Sequence, residues 1–397
     1  MRGGVSIRTG VMLVSLLVLA ADVSAQRGRQ RSAGAGSGGR GAFAFCYAPV
    51  LTPEALAWYS RFDILVTHDP LPPEQVERLH ASGTKVLFYE WSVAFYDSRA
   101  TAWQTSLLSN RRHLLNEEPL RGWAGSEAAA WYFDPASPEH EFGRVADILQ
   151  RLNATGYDGV FFDTTTVESV HPAAQAAYEL RHPDVPYDVA FSRFLAELRR
   201  QLPHGILFTN QGYRAADDYL PYVDWDLTES LITGPAGASF QLRSWNDAEN
   251  PWSSSHFVME RMIEPVAAKY PHVRFGHLNY ATGSPAAIRV VVAAARLFTG
   301  DGYVAAPSVR EEIDPIYLRD WGKPVTRRFD SDDSKTSWRF FERGVIVVTS
   351  SAEPVVIEND TGRALRNIET GEISRDPGIT IAAGDGEPRA CFFGYMQ

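Results

Sequence analysis

Apolar and polar positions form a long repeat from residue 42 onward, in which short apolar runs and amphipathic stretches follow one another at intervals of roughly 20 to 60 residues. The runs are rich in Val, Phe and Leu with little internal alternation, which is typical of parallel strands covered by helices on their outer face. The runs are Phe43–Tyr47, Asp63–Thr67, Lys85–Glu90, Gly159–Asp163, Gly205–Asn210, Trp225–Glu229, Arg274–Asn279 and Tyr303–Ala306. Eight strands of this kind predict an α/β protein with a (β/α)8 barrel, the TIM barrel.

The stretches between the runs carry helical periodicity. Glu141–Leu152 and Val189–Leu202 place apolar side chains three or four residues apart, which predicts amphipathic helices. A doubly wound open sheet is the structural alternative. It would place a glycine-rich phosphate loop after an early strand, and the sequence has none there.

After about residue 320 the pattern changes to short strand-like runs separated by Gly, Asp and Asn, which predicts a small C-terminal antiparallel β-module. The runs are Trp338–Phe341, Gly344–Thr349, Pro354–Ile357, Ile379–Ala383 and Cys391–Phe393. We therefore divide the chain into a barrel over residues 42–318 and a module over residues 319–397.

The N-terminus has the pattern of an export signal over residues 1–25. Arg2 and Arg8 flank the start of an apolar segment, Val11–Ala21, and the small residues Val23–Ala25 offer a cleavage site. Residues 26–41 are mostly Gly, Ser, Arg and Gln, which predicts a disordered linker. We expect a secreted or periplasmic protein without a membrane span after signal cleavage, because no later run is long and apolar enough to cross a bilayer.

Charge narrows the range of partners. The chain contains 38 Lys and Arg against 48 Asp and Glu, a formal net charge of -10. This excess of negative charge argues against nucleic acid as a partner, since the phosphate backbone of nucleic acid is bound by clustered Lys and Arg side chains. We expect a monomer without a cofactor, and also without a metal, because the histidines have no paired spacing.

Two cysteines, Cys46 and Cys391, are present. They could pair in an oxidising compartment. Each lies beside apolar residues, which favours two buried thiols instead.

Polar side chains close most of the predicted strands. The carboxyl ends of the strands meet at one mouth of such a barrel, so these side chains would share a cavity. A single carboxylate at a strand end most often caps a helix or pairs with an arginine. Four carboxylates that point into one cavity are not expected in a purely structural protein, and so indicate a functional site. The four are Asp69, Glu90, Asp163 and Glu229, and the other expected binding residues are Tyr47, Asn210, Asn279 and Tyr280, with Trp91 and Trp245 as faces for sugar stacking.

Asp163 and Glu229 are the predicted catalytic pair. They would end the fourth and sixth strands, whose backbones lie roughly 10 Å apart because neighbouring strands are about 4.8 Å apart. Inward side chains would reach the separations of roughly 5 to 9 Å that glycosidase carboxylate pairs use. One would then act as nucleophile or base and the other as general acid.

Two segments also carry a family resemblance. Gly156-Tyr-Asp-Gly-Val-Phe-Phe-Asp163 and Asp224-Trp-Asp-Leu-Thr-Glu-Ser230 together resemble the signature of glycoside hydrolase family 114 and related glycoside hydrolases, which are barrels of the endo-α-1,4-polygalactosaminidase type. Ser82–Tyr89 resembles the family's third strand, and Trp338–Val345 resembles the short module that closes such barrels. The resemblance spans most of residues 43–310.

The resemblance implies a hydrolase that cleaves O-glycosidic bonds of a polysaccharide, with an amino-sugar polymer as one candidate, and with Asp163 as nucleophile and Glu229 as acid/base. The chain departs from the family after its third strand, where Glu90 stands on the strand end itself. Thr101–Asp134 has the character of an insertion that would roof the mouth. A non-catalytic carbohydrate-binding barrel of the cell envelope and a transglycosylase both stay open as alternatives.

Overall fold

The protein is described by a computed structural model over residues 42–121, 129–236, 239–280, 284–300, 303–305, 319–359, 361–375 and 377–396. The predicted export signal and linker lie outside these residues. Eight parallel strands close into a barrel in which each strand pairs with its neighbours in sequence, and the last pairs with the first. The strands are β1 (Ala42–Cys46), β2 (Ile64–Thr67), β3 (Lys85–Trp91), β4 (Gly159–Asp163), β5 (Ile206–Asn210), β6 (Trp225–Glu229), β7 (Arg274–Leu278) and β8 (Tyr303–Ala305). The predicted barrel is confirmed, and every predicted strand boundary lies within one residue of the observed one.

Strand register brings the ends of the central strands together. Trp91 of β3 pairs with Asp163 of β4, and Asn210 of β5 pairs with Leu227 of β6. Glu229 of β6 pairs with Leu278 of β7. The carboxyl ends of β3 to β7 therefore lie side by side along one rim of the barrel.

Aromatic rings fill the barrel interior. Phe43, Phe45, Phe161 and Phe208 make edge-to-face contacts with centroids 5.0 to 5.7 Å apart. A Cβ atom at Gly276 would lie 2.9 Å from the ring of Phe208, so only glycine leaves room for the ring on β7. Burial of each phenylalanine contributes about 1.5–3 kcal/mol, which makes this ring cluster a large part of the barrel's stability.

Helices cover the outside of the barrel. In the longer ones, apolar residues spaced three or four apart face the strands, as with Phe191, Phe194 and Leu198 in the helix over residues 187–201. Gly156 adopts a left-handed conformation that ends the helix before β4. The helices are α1 (Pro53–Tyr59), α2 (Pro73–Ala81), α3 (Ala102–Leu108), α4 (Arg144–Thr155, after a π-turn at Glu139–Gly143), α5 (Pro172–Arg181), α6 (Tyr187–Gln201), α7 (Ala216–Tyr219), α8 (Ser255–Val258), α9 (Glu264–Lys269, after a π-turn at Met259–Ile263) and α10 (Pro285–Thr299).

Two hairpins extend the loops at the carboxyl ends of the strands. The loop between β3 and β4 contains the pair Ala94–Tyr96 and Ala130–Tyr132, and the loop after β6 contains the pair Thr233–Ala236 and Ser239–Leu242. The first hairpin and α3 share a small core of their own, formed by Phe95, Leu107, Leu114, Trp131 and Phe133. This loop corresponds to the segment that the sequence marks as an insertion.

The C-terminal part forms antiparallel sheets, as the sequence predicts. A six-stranded sheet has the order β9-β10-β11-β16-β13-β14, and β12 pairs with β15. Phe341, Ile346 and Phe392 share one hydrophobic core with the apolar face of α10. The strands are β9 (Phe329–Asp330), β10 (Thr336–Phe341), β11 (Gly344–Thr349), β12 (Val355–Glu358), β13 (Leu365–Asn367), β14 (Ile373–Ser374), β15 (Gly378–Ile381) and β16 (Arg389–Tyr395).

The structure also bears on the predicted state of the cysteines and on membrane-spanning helices. Cys46 and Cys391 are both free thiols and form no disulfide with each other. Cys46 is buried, as the favoured interpretation has it, whereas Cys391 is half-buried. Within the described residues, no helix has the length and apolarity that a membrane crossing requires.

Candidate active site

One side-chain amide joins the two predicted catalytic carboxyl groups. The Nδ2 atom of Asn210 donates a hydrogen bond of 2.7 Å to Oδ1 of Asp163 and another of 2.9 Å to Oε2 of Glu229. Because both oxygens bond the same nitrogen, they lie at most about 5.6 Å apart. Asp163, Asn210 and Glu229 end three consecutive strands, so the barrel places them side by side.

A tyrosine completes the network at each end. The hydroxyl of Tyr89, on β3, donates to Oδ2 of Asp163. The hydroxyl of Tyr280, just after β7, donates 2.8 Å to Oε1 of Glu229. Each of the four carboxyl oxygens thus accepts a hydrogen bond, and the network runs through five neighbouring strand ends. We call Tyr89, Asp163, Asn210, Glu229 and Tyr280 the five-residue chain.

The backbone turns sharply after each of the three central residues of this chain. Thr164, Gln211 and Ser230 have φ angles of 53°, 62° and 57°, in the left-handed region that non-glycine residues rarely adopt. Strain of this kind concentrates at functional sites, where the surrounding structure enforces it. Here each turn ends its strand at the residue whose side chain enters the mouth.

The two carboxyl groups differ in their electrostatic surroundings. Burial raises the pKa of Asp163, but hydrogen bonds from Asn210, Tyr89 and the backbone of Thr164 oppose that rise. Burial raises the pKa of Glu229 as well, and the negative charge of Asp163 raises it further. The pKa values of both carboxyl groups are thus raised, and because the two groups interact closely they gain and lose protons as a pair.

A buried carboxylate fixes the loop behind Asn210. Asp226 accepts hydrogen bonds from the hydroxyl of Thr209 and from the backbone N–H groups of Gly212 and Tyr213, at 2.7 to 2.8 Å. Burial raises the pKa of Asp226 to about 7. Asp226 lies on the outer face of β6, so it positions the turn after Asn210 instead of facing the mouth.

Stacked rings form one wall of the mouth. The imidazole of His68 lies between Tyr47 and Tyr89, with centroids 4.3 Å and 3.9 Å away. Burial, with a smaller effect from the charge of Arg99, lowers the pKa of His68 to about 4, so the ring is neutral at neutral pH. Tyr47 is 55% exposed, which leaves an aromatic surface open to solvent near the carboxyl pair.

Trp91 lies on the same rim, at the end of β3, in register with Asp163. Its ring stacks on Tyr96 of the first hairpin, with centroids 4.6 Å apart, and meets the edge of Tyr132 at 6.2 Å. The insertion between β3 and β4 thus packs directly against a predicted substrate-binding residue.

Glu90 does not lie in the mouth, which corrects the sequence prediction. It is 5% exposed and forms ion pairs with Arg144 at 3.0 Å and Arg151 at 2.9 Å, both on α4. Side chains alternate along a strand, and Tyr89 and Trp91 occupy the inward positions on β3. Glu90 therefore points outward to the helices.

Two further predicted binding residues also face away from the mouth. Asn279 accepts hydrogen bonds from the backbone of Ile232 and Thr233, and so fixes the loop after β6. Trp245 is 1% exposed and packs against His256 and Phe298.

Asp69 follows β2 and is half-buried. Its charge contributes to the raised pKa values of Cys46 and Tyr157, after the larger effect of burial. Its role in substrate binding stays a prediction.

The sequence analysis missed Tyr89 and Asp226. The signal for Tyr89 was present, since it lies two residues from the inward Leu87 and two from Trp91. Asp226 carried no comparable signal, because its role depends on the loop that folds back onto it.

A group of possible metal ligands lies outside the mouth. His256, Glu260 and Asp330 bring ligand atoms within 4.8 Å of one another. The guanidinium of Arg328 contacts all three and is 5% exposed. Arg328 supplies the positive charge that a cation would bring, so this cluster joins α8 and α9 to β9 as an ionic network.

Comparisons with known proteins bear on the fold. No family model and no curated protein matches the chain. Among solved structures it is similar to Eubacterium rectale Amy13B, with a TM-score of 0.56, 8% identity, and coverage of 90% of this chain and 95% of that one. It is also similar to an α-amylase from Geobacillus thermoleovorans complexed with acarbose, with a TM-score of 0.54, 11% identity, and coverage of 90% and 98%.

A third similar structure is the glycoside hydrolase domain of PelA from Pseudomonas aeruginosa, with 21% identity, a TM-score of 0.45, and coverage of 67% of this chain and 95% of that domain. At identities this low, the likenesses to the first two structures show the fold alone, a TIM barrel followed by an antiparallel sheet.

Proposed function

We propose that the protein is a glycoside hydrolase that cleaves O-glycosidic bonds of a polysaccharide, with Asp163 as nucleophile and Glu229 as general acid and base. The observation that carries this proposal is the shared hydrogen bond of Asn210, which holds one oxygen of each carboxyl group within about 5.6 Å of the other. Retaining glycosidases space their carboxyl groups about 5–5.5 Å apart, whereas inverting enzymes need about 6.5 Å or more to admit a water. The spacing supports a retaining reaction.

The electrostatics support the division of roles. A nucleophile must be ionised and a general acid must carry a proton, and the raised pKa of Glu229, due first to burial and then to the charge of Asp163, suits the general acid. Asp163 would attack the anomeric carbon as Glu229 protonates the departing oxygen, which gives a glycosyl ester and a shortened chain. Glu229 would then take a proton from water as the water attacks the anomeric carbon and releases Asp163.

The walls of the mouth suit a sugar. Aromatic faces bind the apolar faces of pyranose rings, and Tyr47 offers an exposed ring supported by His68. The formal net charge of -10 suits a polymer with cationic amino groups, so an amino-sugar polysaccharide is the substrate class that we propose to test first. The N-terminal pattern of residues 1–25 supports action outside the cytoplasm, on an extracellular or envelope polymer.

A non-catalytic carbohydrate-binding barrel is the alternative. It would be favoured by carboxyl groups more than about 10 Å apart, or by either group engaged in a structural ion pair. Among the described residues, no Lys, Arg or His side chain contributes to the pKa shifts of Asp163 or Glu229. Glu90, in contrast, is neutralised by ion pairs with Arg144 and Arg151.

The test is hydrolysis of defined polymers by the purified protein. Acetylated and de-N-acetylated amino-sugar polymers would be incubated with wild type, Asp163→Asn and Glu229→Gln, and released reducing ends would be measured. We expect each variant to fold and to lose at least about 10³-fold in rate. Asp217→Asn, at an exposed carboxylate paired with Lys269, is the matched control and should keep full activity.

Two outcomes of this test would decide against the proposal. Polymer binding without release of reducing ends by wild type would favour the binding-barrel alternative. Undiminished release by Asp163→Asn would refute the assignment of the pair. Analysis of product lengths separates a hydrolase from a transglycosylase, since transfer generates chains longer than the substrate.

A further inference from the structure

The five-residue chain has two similar ends in very different surroundings. Tyr89 and Tyr280 each donate a hydrogen bond to the outer oxygen of one carboxyl group. The ring of Tyr89 is covered by His68, with centroids 3.9 Å apart. Tyr280 is 38% exposed and rests on Phe240 of the second hairpin, with centroids 4.9 Å apart.

The covered tyrosine suits a carboxylate that must stay ionised. A hydroxyl whose ring is packed on both sides keeps donating to Oδ2 of Asp163, since a neutral imidazole and the ring of Phe161 hold it in place. A hydrogen bond to the charged form favours that form.

The exposed tyrosine suits a carboxyl group that must gain and lose a proton. Oε2 of Glu229 faces Asn210, a donor, so a proton on Glu229 resides on Oε1, the oxygen that contacts Tyr280. A hydroxyl hydrogen rotates about its C–O bond, so the hydroxyl of Tyr280 donates to ionised Glu229 and accepts from the protonated form. Before substrate binds it therefore stays bonded to Oε1 in both states. A glycosidic oxygen that enters from the solvent side would then replace the hydroxyl as the acceptor of the Glu229 proton.

We propose that the two tyrosines are positioning residues with separate tasks: Tyr89 keeps Asp163 ionised and aimed, and Tyr280 holds the oxygen of Glu229 that carries the transferable proton. This inference rests on the proposed function, whose catalytic pair it extends by two residues.

Other titratable groups lie near Asp163 and Glu229, and a pH titration of the pair is clear only where these groups keep the same charge. Tyr47 and Tyr213 both lie close enough for Glu229 to raise their pKa values, after the larger effect of burial. His68 is neutral above about pH 5 because burial lowers its pKa to about 4. None of these three groups changes charge between about pH 5 and pH 9. Asp226 does, because burial raises its pKa to about 7, and it fixes the turn after Asn210. The tyrosine variants are therefore compared in an Asp226→Asn background as well, where changes in that window report on Asp163 and Glu229.

The experiment compares Tyr89→Phe and Tyr280→Phe with wild type across pH. Loss of the Tyr89 hydroxyl removes a donor from ionised Asp163, so the acidic limb of the rate profile should move up by about one pH unit while the basic limb stays. The bond of Tyr280 to ionised Glu229 is charge-assisted and therefore stronger than the bond from the protonated form, so loss of the Tyr280 hydroxyl should move the basic limb up by about one unit and leave the acidic limb in place. Tyr178→Phe removes a buried hydroxyl that donates 2.8 Å to the carbonyl of Val185, far from the chain, and should move neither limb.

A second measurement needs no substrate. Carboxyl carbons in protein labelled at Asp and Glu side chains titrate in NMR spectra, and Asp163→Asn and Glu229→Gln assign the two signals. We expect Tyr89→Phe to raise the midpoint of Asp163 and Tyr280→Phe to raise that of Glu229. Midpoints equal to wild type in both variants, or limbs that move together in each, would overturn the inference. Failure of wild type to cleave any tested polymer, with shifted midpoints, would instead count against the proposed function.

Discussion

Glu90 and Asp163 stand at the ends of adjacent strands but on opposite faces of the barrel wall. Glu90 pairs in register with Phe162, one residue before Asp163. Because successive side chains of a strand point to opposite faces, the two carboxylates point in opposite directions. Asp163 enters the hydrogen-bonded mouth, and Glu90 enters a buried ion-pair network with Arg144 and Arg151.

This relationship predicts a stability effect for Glu90→Gln. Arg144 is fully buried, and loss of the carboxylate leaves its charge without full compensation. We expect the free energy of unfolding to fall by about 3–5 kcal/mol, with KM and kcat of the folded protein close to wild type. Urea unfolding monitored by tryptophan fluorescence would measure the change. Glu118→Gln, at an exposed carboxylate, is the control. If Glu90→Gln had unchanged stability and a raised KM, Glu90 would contact the substrate and the assignment to the ion-pair network would be wrong.

The pH dependence of stability should carry the signature of Asp226. Its pKa is raised by burial from 3.8 to about 7, so between these values the folded state binds more protons than the unfolded state. Stability from this group is therefore present below about pH 4 and is lost as pH rises to about 7. Urea unfolding at half-unit pH steps would compare wild type with Asp226→Asn. We expect a smaller decline in the variant over this window, and parallel curves would contradict the shift.

Tyr47 should contribute to binding through its ring. Tyr47→Ala removes the exposed aromatic face, so we expect KM to rise about tenfold with kcat little changed, a loss of roughly 1.4 kcal/mol. Tyr47→Phe keeps the ring and should bind like wild type. Initial rates over a range of polymer concentrations measure both constants. Equal KM values for wild type and Tyr47→Ala would remove Tyr47 from the substrate site.

Arg328 should stabilise the junction between the barrel and the C-terminal sheet. Its guanidinium contacts His256, Glu264 and Asp330, and its side chain lies 4.3 Å from the ring centroid of Phe298. We expect Arg328→Met to lower the free energy of unfolding by about 1–3 kcal/mol, because three partly exposed carboxylates lose the cation that they share. Calorimetry would measure the effect, with Arg343→Met at an exposed ion pair as the control.

The same cluster yields a test for bound metal. Because Arg328 already provides the positive charge, a chelator should leave the melting temperature of wild type unchanged. A melting temperature that falls on chelation and recovers with added divalent cation would show that His256, Glu260 and Asp330 hold an ion.

Periodicity was sufficient for the architecture. An apolar run indicates a strand that is buried on both faces, and helical spacing indicates a helix that is buried on one. The eight barrel strands, α4, α6 and five of the eight C-terminal strands could therefore be located from sequence, whereas the short strands β9, β13 and β14 could not. The same logic placed Asp163, Asn210 and Glu229 at strand ends. Whether a polar residue at a strand end points into the mouth depends on which of the alternating positions of that strand face inward. For this reason Tyr89 faces the mouth and Glu90 does not, and Tyr280 faces the mouth and Asn279 does not.

The sequence by itself determined the fold class, the strand positions and the two carboxylates proposed for catalysis, because these follow from local patterns of burial and from residue chemistry. Only the tertiary structure decided which polar residues meet. The amide of Asn210 bonds two acids that lie 66 residues apart in sequence because β4, β5 and β6 are neighbours in a closed barrel, and Tyr89 and Tyr280 join them from strands on either side. Contacts of this range depend on strand register and loop conformation, which no short segment encodes.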